Sequence, residues 1–133
     1  MPLTMKQILS ATPASRKELA EDVRVRNLKI GTSKTKGVPV ATAKTLSIDP
    51  KSGVKKMSQY VTFIEYYPSR EVKVSCSCED FLYRWEYVLA KKGASYITYS
   101  NGEKSRQTNP ANIPGCCKHV VALHKAVQKA KSQ

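Results

Sequence analysis

The sequence predicts an α+β fold: a small domain with an antiparallel hairpin or sheet and two helices, preceded by a largely extended basic N-terminal arm. Three patterns carry that expectation. Residues 59–75 alternate like paired strands, and residues 79–90 and 118–130 repeat apolar positions at helical spacing. Residues 31–56 are rich in Gly, Ser, Thr, Pro and Lys, with apolar side chains too sparse to close a core. The expected division is a basic arm at 1–58 with one or two short helices, a folded domain at 59–130 and a tail at 131–133.

In chain order, residues 4–10 suit a short helix with Met5, Ile8 and Leu9 on one side. Thr12 and Pro13 form a helix start signal, with Thr12 as N-cap and Pro13 in the first turn, where its missing N–H costs nothing. That helix should reach about Asp22. From Val23 the period becomes two: Val23 and Val25, then Leu28 and Ile30, alternate imperfectly with Arg24, Arg26 and Lys29, as in a basic strand. The following stretch, 31–56, holds six lysines against the single acid Asp49 and reads as a solvated linker or as an arm that orders on a partner.

Residues 59–67 (QYVTFIEYY) are the strongest strand, apolar on both sides. Pro68, Ser69 and Arg70 supply a turn, and residues 71–75 return with Val72 and Val74 inward. This hairpin delivers Cys76 at a strand end. In the helix at 79–90, Phe81, Leu82, Trp85, Val88 and Leu89 form the apolar stripe, with Glu79 and Asp80 at the positive end and Lys91-Lys92-Gly93 closing it. Trp85 is expected in the core, and Tyr83 and Tyr87 on the surface. Residues 94–99 suit a short strand, 100–102 a turn and 103–114 a loop. The last helix places Val120, Leu123 and Val127 on one face.

Composition limits what such a fold can do. In a chain of 133 residues, 41% hydrophobic with two Phe and one Trp, the core is modest. Lys and Arg number 23 against 10 acids, a formal charge of +13. That field favours polyanions, meaning nucleic acid or an acidic protein face. An anionic membrane is disfavoured, because no apolar run approaches a spanning length and no basic amphipathic helix with bulky apolar residues stands out. Nothing at the N-terminus resembles a signal peptide, so the cysteines are expected as reduced thiols in an intracellular setting.

All four cysteines and one of the two histidines fall in two short half-sites, Cys76-Ser77-Cys78 and Cys116-Cys117-Lys118-His119. In Cys76-x-Cys78 both side chains leave the same side of an extended backbone, and Cys117-x-His119 does the same at a helix start. Cys76, Cys78, Cys117 and His119 would complete a Cys3His set around one tetrahedral Zn2+. Cys116 offers an alternative pairing with His119, and His124 is a further competitor. Adjacent Cys116 and Cys117 point different ways, so only one should bind, which also disfavours an iron–sulfur cluster on all four thiols. A closed four-ligand set leaves no place for water, so the zinc is expected to be structural and the protein not an enzyme.

The CxC…CxH pattern resembles that of SWIM-type zinc fingers, in which a strand pair and a helix surround one zinc. The likeness runs from about Gln59 to Val127 and includes the CxCED-aromatic and CKHV steps into helices. The spacer at 79–116 is longer than usual for the family, which leaves the layout of its helix and strand open. The segments CSCEDFLYRWEY, GASYITYSNG and NPANIPGCCKHV are similar to those of small SWIM proteins of large tailed bacteriophages. This resemblance implies DNA binding or protein–protein interaction, and a virion as one setting. The expected function is a zinc-binding adaptor that docks on a protein partner in a larger assembly such as a phage particle. The alternative is a sequence-nonspecific nucleic-acid binder. Either would act through Arg24, Arg26, Lys29, Lys34, Lys36, Lys55 and Lys56, with no small-molecule substrate.

Overall fold

The structure, a computed structural model, describes residues 3–33, 37–47, 59–96 and 113–131. A five-stranded antiparallel sheet carries the fold, in the order β1-β5-β4-β3-β2. The strands are β1 (Leu3–Thr4), β2 (Val23–Thr32), β3 (Pro39–Ser47), β4 (Tyr60–Tyr66) and β5 (Glu71–Cys76). The helices are α1 (Met5–Ala11), α2 (Ala14–Leu19), α3 (Glu86–Lys91) and α4 (Lys118–Lys131). A 3-10 turn at Ala20–Asp22 extends α2, and a π turn at Phe81–Trp85 leads into α3. The α+β class is as expected.

The boundary at residue 58 is corrected. The described residues of the expected arm do not stand apart from the domain: β1 pairs with β5, and β2 and β3 supply two strands of the same sheet. Met5, Ile8, Ala20, Val23, Ala41 and Ala43 belong to one core cluster with Ile64, Trp85 and Leu123. The linker expectation failed at β3 because its inward side chains are Ala41, Ala43 and Thr45, all buried. Small residues give little hydrophobic signal, yet they suit a surface on which a helix packs closely, and α4 contacts β2, β3, β4 and β5. The Thr45 hydroxyl is satisfied across the ladder by Thr62, at 2.9 Å.

Helix α1 starts from a capping box. The Thr4 hydroxyl accepts from the Gln7 N–H at 3.2 Å, and the Gln7 side chain accepts from the Thr4 N–H at 2.9 Å. Met5 and Ile8 are buried, as the spacing required. Thr12 does not cap α2, and Pro13 occupies that N-cap with no side-chain bond. The Thr12 hydroxyl donates instead to the Ile8 carbonyl at 2.7 Å, and its oxygen accepts from the Cys116 N–H at 3.1 Å. A threonine with a long-range task cannot serve its local one as well.

The β4–β5 hairpin turns through Pro68 and Ser69, with Arg70 N–H donating to the Tyr67 carbonyl at 2.9 Å. Arg70 itself lies in the left-handed region, at φ 72°. On β4, Thr62 and Ile64 face the helices and are buried, whereas Val61 is half exposed and Phe63 is partly covered. The outward Glu65 is buried, and its Oε1 accepts from the Tyr96 hydroxyl at 2.6 Å and from the Tyr67 hydroxyl at 3.2 Å. The strand expected at 94–99 is absent over its described part. Ala94 and Ser95 run beside β5 through bonds to the Val74 backbone, without forming a strand. Residues 97–99, the turn at 100–102 and most of the loop at 103–114 lie outside the described residues.

The segment after Cys78 is helical from Glu79 to Lys91, with Phe81, Trp85, Val88 and Leu89 buried. Its π turn is closed by the Glu86 N–H bonding the Phe81 carbonyl. Gly93, at φ 76°, ends α3 and lets the Ala94 N–H reach the Leu89 carbonyl at 2.7 Å. Asp80 ties this helix to α2: Arg16 reaches its two oxygens at 3.2 and 2.8 Å, and the Trp85 indole N–H reaches Oδ2 at 3.1 Å. Burial pushes the Asp80 carboxyl up, but the bonds from Arg16 and Trp85 outweigh it and hold it below the ordinary carboxylate range. Among the described residues no helix is long and apolar enough to cross a membrane.

Candidate metal centre

Three elements bring the site together. Strand β5 ends at Cys76, the bend that follows holds Cys78, Cys117 immediately precedes α4, and His119 lies in its first turn. One ligand atom from each of Cys76, Cys78, Cys117 and His119 lies within 4.8 Å of the others, and all four residues are buried. Residues separated by about forty positions in sequence therefore meet at one point, with side chains suited to hold a metal ion.

The choice between the adjacent cysteines follows from where each sulfur points. Cys117 faces the cluster, whereas the Cys116 sulfur sits 3.6 Å from the Thr12 hydroxyl on α1's side. Complete burial pushes the Cys116 thiol up to about 12, so it stays neutral. Gly115, just before them, packs closely against Thr12 and Trp85. A Cβ there would meet Thr12 Cα at 3.0 Å and the Trp85 ring at 3.2 Å. His124 lies apart from the cluster, with Nδ1 3.2 Å from the Tyr66 hydroxyl.

The three thiols of the cluster perturb one another's ionisation. Burial pushes the Cys76 thiol up, but bonds from Cys117, Cys78 and Thr62 outweigh it and hold it well below its usual range. Cys117 is pushed well above its usual range, first by burial and then by the neighbouring Cys76 and Cys78 sulfurs. For Cys78, the thiol of Cys117 favours the thiolate, but the bond to Cys76 and burial together raise it.

Two further bonds aim at sulfur: the Thr62 hydroxyl reaches Cys76 Sγ at 3.4 Å, and the Phe81 N–H reaches Cys78 Sγ at 3.4 Å. The Tyr60 ring packs on His119 with centroids 5.0 Å apart. Thr12, Thr62 and Tyr60 escaped the sequence reading because only the strand register and the α1–α4 contact bring them here.

His119 makes the strongest case for a ligand. Both ring nitrogens are buried and neither makes a hydrogen bond of ordinary geometry. The Cys78 sulfur is close enough for the imidazole to favour its thiolate, but that contact leaves most of the ring's polar capacity unused. A buried polar group without a partner costs about 1–3 kcal/mol, so a folded protein does not keep one without reason. A cation between His119 and the three sulfurs would satisfy it.

Of the basic residues singled out, Arg24, Arg26 and Lys29 are exposed on β2, while Lys34, Lys36, Lys55 and Lys56 lie outside the described residues. The register places Arg24 opposite Leu46, Arg26 opposite Lys44 and Lys29 opposite Thr42. A bulge between Arg26 and Lys29, with Asn27 at φ 55°, inserts one extra residue. Without it Lys29 would fall on the helix side. With it, Arg24, Arg26, Lys29 and Lys44 share the face away from α4, and Lys44 is a member that the linker assignment had concealed.

Set against known proteins, the chain matches no family model, no curated protein and no solved structure at a significant level. The likeness to SWIM-type fingers therefore rests on the CxC…CxH motif alone.

Proposed function

We propose that the protein is a non-enzymatic, zinc-fastened docking module of the SWIM type. The observation that carries this reading is the buried Cys76, Cys78, Cys117 and His119 cluster with both His119 nitrogens unbonded. Three thiols and one imidazole are the donor set of structural zinc. A regular tetrahedron with metal–sulfur bonds of ~2.3 Å sets ligand atoms about 3.8 Å apart. The four atoms need draw in by no more than about 1 Å to reach that. Four protein ligands fill the coordination sphere, and burial keeps water out. The zinc then acts as a fastening between the sheet and α4, and function lies on the outer surfaces. The module docks on a protein partner in a larger assembly, with a phage particle as the setting that the motif wording suggests.

A second reading, sequence-nonspecific binding of nucleic acid, is favoured by the basic sheet face. Arg26 and Lys44 sit directly opposite each other on neighbouring strands. Like charges so placed destabilise a sheet, and a polyanion would relieve that repulsion. If Arg24, Arg26, Lys29 and Lys44 each neutralise a phosphate, log K against log salt has a slope of about −3.6 on duplex DNA. Titration of random duplex between ~50 and ~200 mM salt checks this. Arg26→Ala with Lys44→Ala should reduce the slope by about 2. No binding at ~50 mM salt removes the nucleic-acid reading and leaves the protein partner.

A further inference from the structure

A cleft on the helix side of the sheet lies away from the cysteine cluster. It measures about 770 Å³, within the range of small-ligand sites. Cys76 pairs with Thr62 and Val72 with Tyr66, so the cleft opens four residues further along β4, about 13 Å from the cluster end.

The lining has two chemical parts. Its apolar floor is Met5, Leu9 and Val72, and its rim carries Lys6 from α1, Lys17 from α2 and Arg70 from the β4–β5 turn. Among the described residues no carboxylate lines it. The nearest acid in sequence, Glu71, pairs in register with the lining residue Thr4 and so borders the cleft without itself lining it. Among the described residues Lys6, Lys17 and Arg70 have no acidic partner. Tyr66, Tyr67 and His124 add ring surface and polar edges. Burial pushes the Tyr66 hydroxyl up to about 12, so it stays a neutral hydrogen-bonding group.

Arg70 supplies an independent observation. It occupies the left-handed position of a three-residue hairpin loop, a place that favours glycine. The hairpin geometry itself calls for that conformation, and it leaves a guanidinium at the mouth of the cationic cleft.

We propose that this cleft, between α1, α4 and the β4–β5 hairpin, binds a small multiply charged aromatic anion of the nucleoside diphosphate class. The ring lies on the apolar floor beside Tyr66 and His124, and the phosphates meet Lys6, Lys17 and Arg70. Arginine holds a phosphate through paired N–H donors, while lysines act as point charges. The site is for a ligand and involves no bond-breaking step. It does not depend on the sheet-face reading, because the two surfaces lie on opposite sides of the sheet.

The test is calorimetric titration of the full-length, metal-loaded protein with ADP and separately with inorganic phosphate. Saturable one-to-one binding of ADP with Kd below ~1 mM is expected, with phosphate at least about tenfold weaker. Arg70→Gly removes the charge and suits the backbone. It should weaken ADP at least about tenfold while the thermal midpoint holds or rises. Arg24→Ala, on the opposite face, should leave the ADP Kd within about twofold. The proposal is overturned by no saturable ADP binding up to ~5 mM, by Arg70→Gly binding as tightly as the native chain, or by Arg24→Ala weakening ADP equally, which would mark a general effect of net charge.

Discussion

Removing the proposed zinc with a strong chelator at neutral pH is expected to unfold the protein rather than merely loosen it. A structural zinc contributes about 10–16 kcal/mol of apparent binding energy in small domains, against the ~5–15 kcal/mol total stability of an ordinary one. The four candidate ligands join the end of β5 to the start of α4, and α4 packs on four of the five strands. Losing the fastening therefore releases the helix that closes the core. Circular dichroism during chelation should show loss of both helix and strand signal, recovered on adding back zinc.

The same reasoning fixes the sign of the pH dependence. Metal binding displaces protons from thiols, and burial holds the Cys117 proton tightly in the absence of metal. Affinity must therefore fall as pH falls. Chelator resistance should be highest above neutrality and drop steeply in acid. A chain that keeps its full circular dichroism spectrum with the metal gone would show that the apolar core suffices alone.

The second large effect is at Trp85, the largest fully buried side chain. It packs near Gly115, donates its indole N–H to Asp80 and shares a core cluster with Phe81 and Val121. Trp85→Ala is expected to cost about 3–5 kcal/mol, from lost burial plus the cavity left behind. The indole bond to Asp80, lost as well, is worth ~0.5–1.5 kcal/mol. Trp85→Phe should cost about half as much, because the ring survives without its N–H. Urea unfolding of the zinc-loaded protein measures this as a shift of midpoint at unchanged slope. A cost for Trp85→Ala below ~1 kcal/mol would mean that the helix at 79–91 is only loosely docked.

Much of this architecture was legible in the chain, and the exceptions share a cause. The hairpin at 60–76 and the helix at 118–131 announced themselves through bulky residues at the right period. The cysteine cluster was legible through spacing alone, since a Cys-x-Cys strand end and a Cys-x-His helix start each aim two ligands one way. The reasoning that only one of Cys116 and Cys117 could join it matches the observed divergence of their sulfurs.

Strand β3 was not legible, because Ala41, Ala43 and Thr45 act in the core through their small size, which a hydrophobicity pattern discounts. Nor was the task of Thr12, whose partner Cys116 lies 104 residues away. The bulge at Asn27 looked like imperfect alternation, and only the register shows that the imperfection keeps Arg24, Arg26 and Lys29 on one face. In each case a tertiary contact, invisible to a local window, overrode the local signal.

The most direct measurement is the zinc content of the purified protein beside its Cys116→Ser and Cys117→Ser variants. One zinc per chain is expected in the native protein and in Cys116→Ser, whose sulfur faces Thr12. Cys117→Ser should lose most of its zinc and its fold. A native protein well below one zinc per chain, or a Cys117→Ser variant that keeps both zinc and fold, would contradict the Cys76, Cys78, Cys117 and His119 centre on which the account rests.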